Sequence, residues 1–201
     1  MTEKPAKTSV PIHELLARRW SGRAFDGDRP VSRSDLIALL EAARWAPSCF
    51  GEEPWRYILW DRNRSEFSWQ KAFDCLSPGN QVWAMNAPIL LLALAGDTFR
   101  ERGTVNRWAR YDTGAASENL CLQATAMGLM AHQMGGFDAE EARESFSIPS
   151  GYEPMAMIAV GHPGRIDGLD GALQERELAE RKRRPLNEMF FEDSWATALH
   201  R

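Results

Sequence analysis

The sequence is short of the features that mark the commonest kinds of chemistry and address. Its three cysteines, Cys49, Cys75 and Cys121, are widely spaced and form no C-x-x-C. That argues against a disulfide framework or a cysteine-based zinc site and fits a reducing compartment. Charge of one sign is also missing. With 24 basic and 28 acidic residues the formal net charge is -4, so nothing global favours nucleic acid or an anionic membrane. The apolar run "APILLLALAG" is far too short to span a bilayer, and "MTEKPAKTSVPIHELL" lacks the apolar stretch of a signal peptide. The expectation is a cytoplasmic protein that engages neither nucleic acid nor membrane. G-x-x-x-x-G-K-[ST], G-x-G-x-x-G after a strand, G-x-S-x-G and H-E-x-x-H are all absent, which weakens phosphoryl transfer and serine hydrolysis. His13, His132, His162 and His200 stand isolated, as surface or turn histidines do.

What is present describes one domain of 201 residues, 44% of them hydrophobic, enough for a real core. Residues 1–11 read as a flexible arm before a helix from about Ile12 to Arg19. "VSRSDLIALLEAARWAP" predicts a helix capped by Ser32 and Asp35 and stopped by Pro47. "WRYILW" reads as a strand, and "NRSEFSWQKAFDCL" as a surface helix. "NAPILLLALAG" is a continuous apolar run, expected of a central strand with helices on both sides. The small-residue stretch Tyr111–Leu129 suits a helix buried in a core or a subunit interface. "FDAEEARESF" carries capping residues Asp138 and Glu141, and "PMAMIAVGHPG" reads as a second buried strand ending in a turn. The extension from about 165 to 201 is charged and then aromatic, with no core face of its own. Interleaved strands and helices without repeats make the fold class α+β.

Four features could carry chemistry, and each has an ordinary alternative. "RRWSGRAF", residues 18 to 25, sets three arginines around a serine and a glycine, a set that suits phosphate oxygens; a solvated helix end is the alternative. "APSCFGEEPW" is irregular between a helix and a strand, as loops presenting backbone to a flat ligand are, and as plain connections are too. Asn80 in "GNQVW" could read a heterocycle, or cap a turn. Gly135 and Gly136 in "HQMGGF" expose backbone N–H groups, or simply turn the chain.

In order along the chain, "RRWSGRAF", "APSCFGEEPW", "GNQVWAMNAP", "ENLCLQATAMGL", "GGFD", "AVGHP" and "RKRRPL" resemble the flavin-dependent nitroreductases, over nearly the whole sequence. The resemblance implies a nitroreductase-like fold with a central, mostly antiparallel sheet flanked by helices, in an intertwined homodimer. It implies FMN as cofactor and NADH or NADPH as reductant, with nitroaromatics, quinones or similar planar molecules as acceptors. Carried over by motif, Arg19, Ser21 and Arg23 would grip the ribityl phosphate, with Trp20 contributing main chain and Lys182 and Arg184 returning from the tail. Asn80 would face the pyrimidine edge, Gly135 and Gly136 the N5 side, and Pro47 and Ser48 would approach from the other subunit. No side chain is assigned as catalytic, since the flavin carries the redox step, and no metal is expected.

Two positions depart from the family pattern: Gly51 stands where it has asparagine, and Glu53 where it has glutamine. A carboxylate near the ring would disfavour an anionic reduced flavin. Flavin fragmentation, reductive dehalogenation or non-catalytic flavin binding would use the same contacts. An RNA-contacting role for Arg181–Arg184 is disfavoured by Glu175, Glu177 and Glu180 beside it.

Overall fold

The computed structural model describes residues 4–198, in the order α1 (Glu14–Arg18), α2 (Arg33–Arg44), β1 (Trp55–Asp61), α3 (Glu66–Asp74), α4 (Pro78–Ala84), β2 (Ile89–Gly96), α5 (Ala109–Ala126), β3 (Met130–Met134), α6 (Ala139–Ser145), β4 (Tyr152–Gly161) and α7 (Gly171–Leu178). The four strands form one sheet in the order β1-β2-β4-β3. Every pairing in it is antiparallel.

Strand β2 shows why a run of unbroken apolar residues was needed. Successive side chains of a strand point to opposite faces, and those of β2 divide between two cores. Leu90, Leu92 and Leu94 join Trp60, Trp69, Trp83, Met157 and Ala159 on one side. Ile89, Leu91 and Ala93 join Leu36, Leu39, Ala116, Leu120, Ile158 and Val160 on the other. Helices α3 and α4 thus cover one face, and α2 and α5 the other. Their ends follow local chemistry: Ser32 Oγ accepts from the Asp35 N–H at 3.1 Å, and Asp138 Oδ1 accepts from the Glu140 and Glu141 N–H groups at 3.0 and 2.9 Å. Among the described residues no helix is long and apolar enough to cross a membrane.

Three elements differ from the sequence expectation. Asn80 lies inside a helix, α4, because Ser77-Pro78 starts one there with proline at its first position. Between α5 and the glycine pair runs β3, whose Met-Ala-His-Gln-Met sequence has no β-branched residue; its pairing with β4 decides its conformation, over weak propensity. The C-terminal extension does have an inward face: Leu169, Leu173 and Glu177, four residues apart, are all buried. With a glutamate as one of three, this stripe escapes a search for apolar periodicity. At the other end of the chain, Ala6 N–H donates to Ala17 O at 2.8 Å, so this part of the N-terminal arm lies against α1. His200 lies outside the described residues.

Candidate functional site

The arginine loop begins where α1 stops. Arg18 closes the helix and Arg19 caps it, its N–H donating to Leu15 O at 3.0 Å. From there the chain passes over β3. A Cβ on Gly22 would meet Met130 Sδ at 2.2 Å and the Trp20 ring at 3.0 Å, so a larger residue here would push these side chains aside. Further on, the loop is seated by the end of β4: Gly164 N–H donates to Ala24 O at 2.6 Å, and Asp26 N–H to His162 O at 2.9 Å. The "GHPG" stretch, read in sequence as a strand-ending turn, instead runs on from β4 to bridge Phe25 through Pro163 and so anchors the loop.

His132, expected at the surface or in a turn, is instead buried on β3 and central to this arrangement. Its Nδ1 lies 3.0 Å from Gly22 O. A carbonyl can only accept, so Nδ1 carries the proton. Burial pushes its pKa down to about 4, opposed by the bond to Gly22 and assisted by Arg23 and Arg19, and the ring is neutral at pH 7. Its other contact is the indole of Trp83 on α4, with ring centroids 4.5 Å apart. A single imidazole between apolar neighbours leaves no periodic trace, which is why isolation in sequence misread it.

One turn before Trp83 on α4 stands Asn80. Its Nδ2 donates to Gly136 O at 2.9 Å, and the Ser77 N–H donates to the same oxygen at 3.0 Å. A Cβ on Gly136 would lie 2.6 Å from Ser77 Oγ and 2.8 Å from Asn80 Nδ2. Asn80 Oδ1 has no protein partner among the described residues. Gly135, beside it, is exposed with open space where a Cβ would stand. The two groups singled out in sequence, the arginine loop and the Asn80–Gly136 pair, are thus joined through His132 and Trp83.

The arginines are not bare charge. Arg18 pairs with Glu14 at 3.3 Å, Arg19 with Glu118 at 3.4 Å and Arg23 with Glu177 at 3.3 Å. Arg19 Nη1 also reaches Ser21 Oγ at 3.3 Å, while Lys4 Nζ sits 4.6 Å from the Trp20 ring. Burial raises the pKa of Glu118, with Arg19 opposing. Between Arg18, Trp20, Leu129, Gly164 and Glu177 is a cleft of about 80 Å³, room for a few waters and not for a tricyclic ring.

The remaining sequence candidates stand elsewhere. Lys182 and Arg184 are exposed and, among the described residues, make no hydrogen bond to the arginine loop. Their neighbour Arg181 does, and sequence reasoning passed over it. Pro47 and Ser48 belong to a tightly held connection: Ser48 Oγ accepts from the Glu53 N–H at 3.0 Å, Cys49 N–H donates to Asp112 Oδ2 at 3.0 Å, and Glu52 Oε1 accepts from the Arg100 N–H at 2.9 Å. Phe50, Gly51 and Glu53 all have left-handed backbone there, strain that such tethers sustain. No hydrogen bond joins Pro47 or Ser48 to Arg19, Arg23, Asn80 or Gly136 among the described residues.

Comparison with known proteins agrees with this architecture. A crystal structure described as "the oxidoreductase containing FMN" superimposes with a TM-score of 0.90 at 34% identity, over 98% of this chain and 100% of that one. A 15.4 kDa uncharacterised protein of Mycolicibacterium smegmatis is 37% identical over 124 residues, 62% of this chain and 82% of the relative. A protein of Archaeoglobus fulgidus named "Putative NADH dehydrogenase/NAD(P)H nitroreductase" is 28% identical over 154 residues, 75% of this chain and 84% of that one. The model of the nitroreductase family matches residues 16–68 and 64–162, which hold the whole sheet, the arginine loop and the Asn80–Gly136 pair. The chain belongs to the nitroreductase family.

Proposed function

We propose that the protein is an FMN-dependent oxidoreductase that takes reducing equivalents from NADH or NADPH and passes them to nitroaromatics, quinones or similar planar acceptors. The observation that carries this reading is the continuous link from Gly22 through His132 and Trp83 to Asn80 and Gly136. It holds a cationic group and an amide group in fixed relation along β3. Gly136 lies four positions beyond His132 and two beyond the end of β3, up to roughly 13 Å at ~3.3 Å per extended residue, a span suited to a phosphate at one end and a heterocycle at the other.

The donor set fits FMN. Arg19, Ser21 and Arg23, with the Trp20 main chain, offer charge-assisted donors for a phosphate, and exposed Lys182 and Arg184 add charge from the tail. Asn80 Oδ1 is free to accept from a ring N–H, and open Gly135 and crowded Gly136 allow a flat ring to lie against backbone. When bound, FMN supplies hydride transfer, from the nicotinamide and then to the acceptor, so the protein needs to bind, orient and neutralise charge.

A second copy of the chain completes the site in this reading. The cleft beside the arginine loop is too small for the ring, and Pro47 and Ser48 would come from the partner subunit. Trp45, Phe50, Val105, Trp108 and Tyr111 are exposed on and near α2 and α5, an apolar surface of the kind that homodimers bury. Cys49, Cys75 and Cys121 are free thiols, as suits the cytoplasm.

The test is a visible absorption spectrum of the purified protein, then anaerobic addition of NADPH and NADH. Yellow protein with about one FMN per chain, bleached by either nucleotide, is expected. Bound flavin that neither bleaches would favour flavin fragmentation or storage, and protein that stays colourless and ignores added FMN would refute the reading.

A further inference from the structure

The family match ends at residue 162, yet the strongest tethers on the arginine loop come from beyond it. Arg181 points its guanidinium into three main-chain carbonyls: Nη1 donates to Lys4 O and Ala17 O, both at 2.8 Å, and Nη2 to Arg19 O at 3.0 Å. Ala17 and Arg19 lie at the end of α1, where carbonyls lack helical partners. Burial lowers the Arg181 pKa, with Arg19 and Arg183 adding repulsion, so these carbonyls must compensate for a partly desolvated cation. One turn of chain earlier, Glu177 on α7 is 1% exposed and holds Arg23 Nη1 at 3.3 Å. The carbonyls of Arg176 and Glu177 accept from Lys4 Nζ at 3.1 and 2.7 Å, which ties the N-terminal arm into the same knot.

We propose that Glu177 and Arg181 are positioning residues for the arginine loop, so that the C-terminal extension sets how tightly the phosphate of the flavin is held. Neither residue touches the ligand. Arg181 fixes the main chain on either side of Arg18, and Glu177 fixes the Arg23 head, leaving that guanidinium's other donors for the ligand. A lysine at 181 keeps the charge but cannot bridge three carbonyls with a planar fork. This inference rests on the proposed FMN site and adds to it the residues that shape the phosphate end.

The experiment compares FMN with riboflavin, which lacks the phosphate, in fluorescence titrations of flavin-free full-length protein. Arg181→Lys is expected to weaken FMN at least tenfold and riboflavin less than twofold. Glu177→Gln, isosteric and still able to accept, is expected to weaken FMN about threefold to tenfold, again sparing riboflavin. Charge alone predicts the opposite for Glu177→Gln, because removing a carboxylate beside the loop would tighten phosphate binding. Should Arg181→Lys fail to fold, Glu177→Gln decides. Unchanged FMN affinity, tighter FMN binding, or equal losses for both ligands would overturn the proposal. Wild-type protein that binds neither flavin would remove the FMN site and this inference with it; wild-type protein that binds FMN while the variants match it would remove the inference alone.

Discussion

Acidification should destabilise the folded protein through His132. In the folded protein burial holds this imidazole down at about 4, against 6.5 in its ordinary setting. The unfolded chain therefore binds more protons between those values, and stability rises with pH there. The contribution is present above pH 6.5 and is lost as the pH falls towards 4. At about 1.36 kcal/mol per pH unit the full interval is worth ~3 kcal/mol, of which ~2 kcal/mol disappears between pH 7 and pH 5. Protonation does not break the bond to Gly22 O, since Nδ1 is already the donor; it places a third cation beside Arg19 and Arg23. The assay is urea unfolding followed by tryptophan fluorescence at pH 5, 6, 7 and 8, for the wild type and for His132→Phe. The variant keeps a ring against Trp83 but leaves Gly22 O unpaired, costing ~1–3 kcal/mol at every pH. Its loss between pH 7 and pH 5 should be smaller than the wild type's by ~2 kcal/mol. Equal losses in the two proteins would refute the reasoning, whatever the absolute stabilities.

Three further outcomes are expected. Gly164→Ala would place a Cβ 2.5 Å from Phe25 backbone atoms, which cannot yield as a side chain can, so urea midpoints should fall by the equivalent of ~2–4 kcal/mol. Gly136→Ala would meet the ends of two side chains, Ser77 Oγ and Asn80 Nδ2; a smaller loss of ~1–2 kcal/mol is expected, with weaker binding of FMN and riboflavin alike in fluorescence titration. Glu53→Gln should raise the midpoint potential of bound flavin by ~5–20 mV, the worth of one exposed charge, and an unchanged potential in a redox titration would remove Glu53 from the argument.

Much of the fold could be read from sequence because its signals are local. The apolar run of β2, the Ser32 cap of α2 and the Asp138 cap of α6 each need only their own segment. The candidate site was half legible. Its arginines, Asn80 and the glycine pair were recognisable by residue type and order. His132, Glu177 and Arg181 were not, because each acts on a partner far along the chain: Gly22 lies 110 residues from His132, Arg23 154 from Glu177, and Arg19 162 from Arg181. A buried carboxylate and a half-buried guanidinium also look, in one dimension, like members of a solvated charged tail. Strand β3 was hidden for a related reason: its strand character comes from pairing with β4 and not from its own residues.

The knot between Arg181 and the carbonyls of Lys4, Ala17 and Arg19 joins the two ends of the chain, and this bears on when the site can form. During synthesis the arginine loop leaves the ribosome ahead of its tethers, which follow more than 150 residues later. At ~5–20 residues per second that delay is roughly 8–30 s, during which the sheet can assemble while Arg19 O and the Arg23 guanidinium lack these two partners. Tight cofactor capture would then wait for residues 177–181, and a nascent chain stalled before residue 177 would have a sheet and a looser phosphate grip.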